Sequence, residues 1–396
     1  MQLPNSSPQG TADSDLIRTA VVIIGAGPAG LAVAACLQRA RIPFIVLERG
    51  DRIAMAWHRH YERLHLHTAK AFSGLPYFPF PRHYPRYPSR LQVIDYFEAY
   101  AAHFGIRPHF GQNVVAVEHV AGEWRTATEN AIYISPNLVI ATGYNSQPYQ
   151  PVWPGQAQFG GPIVHSSAYR NGEPYRGKRV LVVGFGNSGG EIAIDLWEHG
   201  ARPVVLAVRS PVNVIPRDLF GIPAMAFAIA QRKLPPSIAD ALNAPFVRRR
   251  YGDLAQYGLS KAAEGPLTQI AKRRRIPLID VGTVRLIRSG EIKVRPGISE
   301  FTERGVIFAD GTSEEFDAVI LATGYRPAID AWFAEASTVT DEQGIPRESG
   351  YEIGWPGLYF CGFTSVSTGL LREIGIEAKR IAQAISRSRV FATSVH

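Results

Sequence analysis

Two segments of this chain carry the same strand, glycine turn and helix, and that duplication limits the fold more than any other feature. Residues 19–24 form an apolar, β-branched run that meets Gly25-Ala26-Gly27-Pro28-Ala29-Gly30. An Ala/Leu-rich stretch then reads as helix to about residue 39. A second strand over 44–47 ends at Glu48. The later copy is a strand over 179–183, then Gly184-Phe185-Gly186-Asn187-Ser188-Gly189, then helix to about residue 199. Its second strand, 204–208, ends at Arg209. An apolar strand feeding a helix through Gly-x-Gly-x-x-Gly is the dinucleotide-binding βαβ signature. One copy is weak; two copies, each followed by a residue placed to read a ribose, are specific. The fold class expected is α/β, with two Rossmann-like dinucleotide-binding domains, one inserted in the other. Residues 1–168 and 301–396 would form the discontinuous outer domain, and 169–300 the insert.

The rest of the chain fits this plan. An apolar strand ends in Ala141-Thr142-Gly143, and a near-copy ends in Ala322-Thr323-Gly324, as if each closes one nucleotide-binding unit. A third strand-like run, 357–362, ends at Gly362 and precedes a terminal helix from about 370 to 387. Residues 219–275 read as helices and connections, and 1–17 as a frayed polar tail. Residues 20–37 carry no charge and approach the length of a membrane span, but Gly25, Gly27, Pro28 and Gly30 interrupt them. No stable membrane insertion is expected.

Composition excludes several classes. With 46% apolar and 19% charged residues the chain is globular rather than disordered. Two cysteines, Cys36 and Cys361, allow no disulfide framework, no Cys-x-x-Cys pair and no multi-thiolate zinc site, which points to a reducing, cytoplasmic setting. The net charge of +8 is uneven: residues 170–295 hold 21 Lys/Arg against 10 Asp/Glu. A basic middle suits nucleic acid, acidic lipid or a polyanionic cofactor. For the runs Arg248–Arg250 and 272–275 a solvated face is the simplest reading, so no nucleic-acid partner is expected. The oligomeric state is not legible.

The residues after the two motifs assign the nucleotides. Gly25 permits the tight turn, Gly27 the approach of a pyrophosphate, and Gly30 close packing of helix on sheet. Amides at the helix start hold the phosphates, and Pro28 costs no hydrogen bond there. Glu48 accepts bonds from ribose hydroxyls and repels a 2′-phosphate, which suits FAD or NAD. Gly184, Gly186 and Gly189 repeat these roles, but here Arg209 and Ser210 follow. A guanidinium and a hydroxyl match a 2′-phosphate, which suits NADPH; the alternative is an arginine that ends a strand in solvent.

With these residues in place, the sequence resembles the flavin-containing monooxygenases. Phe159, Gly161, His165 and Tyr169 match that family's FxGxxxHxxxY/F pattern just ahead of the second glycine motif. The resemblance is closest to the YUCCA branch, through Leu47-Glu48-Arg49, Trp57, Leu66-His67, Phe78-Pro79-Phe80-Pro81, Gly186-Asn187-Ser188-Gly189 and Leu321-Ala322-Thr323-Gly324-Tyr325-Arg326. It implies a class B flavoprotein using FAD, NADPH and O2, storing oxygen as a C4a-(hydro)peroxyflavin. It further implies oxidative decarboxylation of an aryl 2-oxo acid such as indole-3-pyruvate to the auxin indole-3-acetate. N- or S-oxygenation of small amines or thioethers, an NADPH oxidase, and a flavin-binding regulator docking nucleic acid or anionic lipid remain as alternatives. The implied cofactor contacts add Ala29, Arg49, Trp57, Leu66, His67, Val114, Ala141, Thr142, Gly143, Asn187, Ser188, Ala322, Thr323, Gly324, Tyr325 and Gly362.

Individual residues carry further expectations. His67 and Arg326 are the candidate catalytic pair, the first as a hydrogen-bond donor to peroxide or cofactor. Arg326 would reach a substrate carboxylate or phosphate, or pair with Asp317 or Asp330. His165 and Tyr169, four apart, would share a helical face and act as a hinge. His58, His60, His65 and His67 crowd ten residues, yet only Glu62 supplements them as a ligand, so no metal is expected. Residues 76–88 read as an ordered polyproline-like loop whose Tyr77, Phe78 and Phe80 face the flavin. Residues 219–250 would border the substrate route.

Overall fold

β-Branched strands alternating with small-residue helices build two parallel sheets in the computed structural model, which describes residues 16–393. In chain order their strands are β1 (Val21–Ile24), β2 (Phe44–Leu47), β3 (Asn137–Ile140), β4 (Ile163–His165), β5 (Val180–Val183), β6 (Val204–Ala207), β7 (Ile292–Arg295), β8 (Ala318–Leu321) and β9 (Leu358–Phe360). The first sheet runs β9-β3-β1-β2 and the second β7-β6-β5-β8-β4, with every pairing parallel. The four residues of β1 and of β5 are all buried, as central strands covered on both faces must be. Helices α1 (Pro28–Arg39), α2 (Arg90–Phe104), α3 (Asn187–Glu198) and α4 (Leu370–Thr393) complete the frame.

The duplication seen in sequence is a duplication of topology. In each sheet the strand before the glycine turn lies between the next strand (β2, β6) and the strand ending in Ala-Thr-Gly (β3, β8). The second sheet also draws strands from outside 169–300. β4 and β8 both belong to it, and an antiparallel ribbon over Ile298–Phe301, Gly305–Phe308 and Ser313–Glu315 packs on its face. The cause is apolar burial: Phe301, Phe308 and Phe316 share one core with Leu181, Val205 and Leu321.

Two segments join the units. Tyr61 and Leu64, which follow the first glycine motif in sequence, are buried in the second unit's core, and Trp57 packs against both cores. The proline-rich loop is pinned to α2: the Tyr96 hydroxyl donates to the carbonyl of Phe78 at 2.6 Å and Tyr100 to that of Pro76 at 3.0 Å. Phe80 stacks on Tyr96 with ring centroids 3.8 Å apart. Phe78 and Phe80 are thus spent on α2, and Tyr77 stands outside under Arg39. Of the expected N-terminal tail, Leu16–Arg18 forms an edge strand parallel to Ile132–Ser135, and 1–15 lie outside the described residues. Among the described residues no helix is long and apolar enough to cross a membrane.

Candidate functional site

Each glycine turn leaves a cradle at the start of its helix. Gly25 has φ +107°, and a Cβ there would meet the carbonyl of Ala141 at 2.8 Å. One at Gly30 would fall 1.8 Å from the oxygen of Gly25. At Gly27, the residue before α1, a Cβ would meet nothing within 4 Å. Two glycines close the fold and the third faces open space, the shape a pyrophosphate needs above unpaired helix amides. The side chain of Glu48, buried at the end of β2, accepts from the amides of Ala26 at 2.9 Å and Gly50 at 2.8 Å. Those bonds fix the carboxylate while leaving lone pairs for ribose hydroxyls. Thr142 Oγ1, beside Gly25's neighbour Ala141, is buried without a partner. Gly362 (φ +87°) faces Ala29 across the start of α1, its amide donating 2.6 Å to Glu377. Ser349 and Thr364 also donate to that carboxylate, and burial raises its pKa. This cradle fits a dinucleotide with free ribose hydroxyls.

The second cradle repeats the geometry. Gly184 (φ +109°) abuts the carbonyl of Ala322, Gly189 would clash with the oxygen of Gly184 at 2.1 Å, and Gly186 faces open space. Asn187 Oδ1 accepts from the amide of Ile279 at 2.8 Å, and Ser188 meets the Tyr61 hydroxyl, whose ionisation burial opposes. Arg209 is exposed just past β6, with Ser210 half-buried beside it; no protein partner is recorded for the guanidinium among the described residues. A cation so placed fits a phosphate rather than an internal ion pair.

Against the second cradle lies a cavity of about 910 Å³. The first unit contributes His60, His67 and Thr68, and the second Gly186, Asn187 and Ser188. Its far wall is apolar, with Met225, Phe227, Val247, Leu267 and Ile270. His67 Nε2 is hydrogen-bonded to Glu191, a buried carboxylate on α3. Beside it, burial and the charges of Arg90 and Arg170 push the His60 imidazole down to about 4.

The family motif is structural here, and it is not helical. His165 ends β4; its Nε2 lies 3.1 Å from the carbonyl of Gly324 and its Nδ1 2.9 Å from Ser167 Oγ. Burial lowers its pKa. Tyr169, after a turn, donates 2.6 Å to Asp195. Glu191 and Asp195 lie one turn apart on α3, so His67 and Tyr169 both dock on the same helix.

Several expected site residues do not line this cavity. Arg326 is exposed, its guanidinium 4.5 Å from the Tyr149 ring, and does not line the cavity. Tyr325 and Arg326 pair with Gln147–Pro148 as a short strand, where neighbours point to opposite faces. Tyr325 takes the cavity face, packing edge-on against His165 with centroids 5.1 Å apart. Asp317 pairs with Arg179 instead, at 2.8 Å. Arg49 is exposed, Val114 half-buried on a strand opposite Thr128, Trp57 edge-on to Phe97, and Leu66 buried with its amide bonded to Pro88. The four histidines diverge: His58 toward Glu98, His65 to the carbonyl of Arg63, His67 to Glu191 and His60 onto Trp57. Of the basic runs, Arg273, Arg274 and Arg275 line the cavity, and Arg274 bonds to Asp341 and the carbonyls of Pro346 and Arg347. Sequence reasoning does not reach Glu191, the partner of His67, or Arg217, which also lines the cavity; the one sign of Glu191 is an acid on the apolar face of a helix.

The chain is similar to known proteins over most of its length. It is 43% identical over 351 residues to the indole-3-pyruvate monooxygenase YUCCA1 of Oryza sativa subsp. japonica, covering 87% of this chain and 86% of that one. To the probable indole-3-pyruvate monooxygenase YUCCA4 of Arabidopsis thaliana it is 42% identical over 372 residues, covering 92% and 89%. Its fold matches the flavin-containing monooxygenase from Stenotrophomonas maltophilia with a TM-score of 0.72 at 21% identity, covering 94% and 99%. The model of the flavin-binding monooxygenase-like family matches residues 18–345, and the chain belongs to that family.

Proposed function

We propose that this chain is an NADPH- and O2-dependent flavin monooxygenase that oxidatively decarboxylates an aryl 2-oxo acid, with indole-3-pyruvate as the model substrate. Indole-3-pyruvate, O2, NADPH and a proton would give indole-3-acetate, CO2, NADP+ and water. The observation that carries this reading is one cavity bounded by His67 of the first unit and by the glycine turn of the second. The names of the plant relatives support the substrate.

The outer unit, residues 1–168 and 301–396, holds FAD, and the insert, 169–300 with β4 and β8 in its sheet, holds NADPH. Gly25, Gly27, Pro28, Ala29 and Gly30 receive the FAD pyrophosphate, Glu48 its ribose, and Thr142 and Gly362 the adjoining edge. Gly184, Gly186, Asn187, Ser188 and Gly189 receive that of NADPH, with Arg209 and Ser210 on its 2′-phosphate. When bound, the two groups supply hydride transfer and the activation of O2. Glu191 accepts from His67 Nε2 and so fixes the ring's tautomer and direction, leaving Nδ1 as the ring nitrogen free to hydrogen-bond in the site. Met225, Phe227 and Ile270 keep water from the reacting centre. Both cysteines are buried, unpaired thiols, which supports a reducing, cytoplasmic setting.

Product analysis tests this. The purified chain with NADPH and indole-3-pyruvate forms indole-3-acetate, and with trimethylamine or a thioether forms little oxide. The opposite selectivity overturns the substrate assignment, and oxidation of NADPH with H2O2 as the only product overturns the monooxygenase.

A further inference from the structure

The cavity wall also carries a guanidinium with unspent binding capacity. Arg217 follows a short strand, Val214–Pro216, and lines the cavity. Its guanidinium lies 4.1 Å from the ring centroid of Tyr87, which belongs to the proline-rich loop of the first unit. Its Nε is buried without a hydrogen-bond partner. The neighbouring carboxylate, Asp218, forms an ion pair with that Nε at 3.6 Å, too long for a hydrogen bond. Asp218 is also committed elsewhere: the Tyr87 hydroxyl donates to it at 2.6 Å and Arg86 at 3.2 Å. Two guanidinium groups therefore share one carboxylate, and the three groups together carry one positive charge in excess beside an apolar wall.

The other cations of the cavity are differently placed. Arg273 is bound to Glu264 at 3.1 Å, and Arg274 to Asp341 and two carbonyls. Arg275 is exposed. Arg217 also stands toward the His67 end. Its carbonyl accepts from the amide of Ala224 at 2.9 Å. The next residue, Met225, crowds Gly369 together with Thr68, the neighbour of His67.

We propose that Arg217 binds the carboxylate of the substrate, so that a guanidinium held on Tyr87 selects 2-oxo acids over neutral carbonyl compounds. This rests on the function proposed above and extends it to a specificity-determining residue. Stacking fixes the plane of the guanidinium while its NH groups remain free to pair with a carboxylate. With the carboxylate held there, the adjacent keto carbon faces the cavity centre and the aryl group lies toward Phe227, Val247 and Ile270.

The test uses the holoenzyme and two variants, Arg217→Met, which keeps the aliphatic stem on Tyr87, and Arg217→Lys, which keeps the charge but not the fork. Equilibrium titration with indole-3-acetate and with neutral indole-3-acetamide reads carboxylate recognition without turnover, and steady-state kinetics give KM for indole-3-pyruvate and for NADPH. Wild type is expected to prefer the acid to the amide by on the order of 10- to 100-fold. Arg217→Met levels the two and raises KM for indole-3-pyruvate by a similar factor, with Arg217→Lys between. Retained discrimination in Arg217→Met overturns the proposal. A rise in KM for NADPH alone also overturns it, because Arg217 then reads a nucleotide phosphate. If wild type turns over no 2-oxo acid, the proposed function has failed; if it does and Arg217→Met behaves like it, only this assignment has failed.

Discussion

Reversing the charge at Arg209 separates the two nucleotides most sharply. The side chain is exposed just past β6 and has no ion-pair or hydrogen-bond partner among the described residues, so Arg209→Glu should change stability by less than about 0.5 kcal/mol. A charge-assisted guanidinium–phosphate contact contributes about 1.5–3 kcal/mol. A carboxylate about 4 Å from the phosphate opposes it by about 1 kcal/mol per unit charge in water, hence about 2 kcal/mol for a dianion. The loss of about 3–5 kcal/mol corresponds to KM for NADPH rising on the order of 10²–10⁴-fold. NADH lacks the phosphate, and the new carboxylate can accept from its 2′-hydroxyl, so its KM holds or falls. The assay follows oxidation of each nicotinamide, with flavin content measured in parallel. In wild type, added salt should raise KM for NADPH more than that for NADH, because an exposed ion pair is screened. A shift in nucleotide preference below about threefold, with flavin retained, would place the 2′-phosphate elsewhere.

Other perturbations probe the remaining parts. At Gly186 a Cβ meets nothing within 4 Å, whereas at Gly189 it lies 2.1 Å from the oxygen of Gly184. Gly186→Ala should therefore keep its melting temperature while NADPH binding weakens about 10-fold, and Gly189→Ala should lose about 2 kcal/mol or more of stability; equal thermal behaviour would refute the cradle geometry. Glu191→Leu strips His67 of its partner, and product formed per NADPH consumed should fall on the order of 10-fold. Unchanged coupling would make the pair irrelevant to the reaction. The folded state holds His60 near 4 against an ordinary value of 6.5. Its contribution is therefore complete above the ordinary value and is lost on acidification, about 2 kcal/mol by about pH 5. Denaturation midpoints at about pH 7.5 and 5 should converge in His60→Phe relative to wild type; an equal fall in both would contradict the assignment.

What was legible in the sequence is what short-range chemistry dictates. Glycines at fixed spacing set the two turns, Pro28 marks the start of α1, and Glu48 and Arg209 stand at strand ends where propensity and pattern place them. What was not legible depends on distant segments meeting. β5 pairs with β8 across more than a hundred residues, which is why the second sheet reaches beyond 169–300. His67 meets Glu191 at a separation of 124 residues, and no local pattern announces that contact. Arg326 is a subtler case: its motif is plain in the sequence, but a two-residue strand pairing turns Tyr325 to the cavity and leaves Arg326 off its lining.

In the proposed reaction both nucleotides serve one oxygen transfer to a 2-oxo acid. The most direct measurement is a single incubation of the flavin-loaded chain with NADPH, indole-3-pyruvate and heavy-isotope O2, analysed by mass spectrometry. Equal amounts of NADPH consumed, CO2 released and indole-3-acetate formed are expected, with one heavy oxygen in the new carboxylate. Indole-3-acetate without the label, or NADPH consumption matched by H2O2 alone, would contradict it.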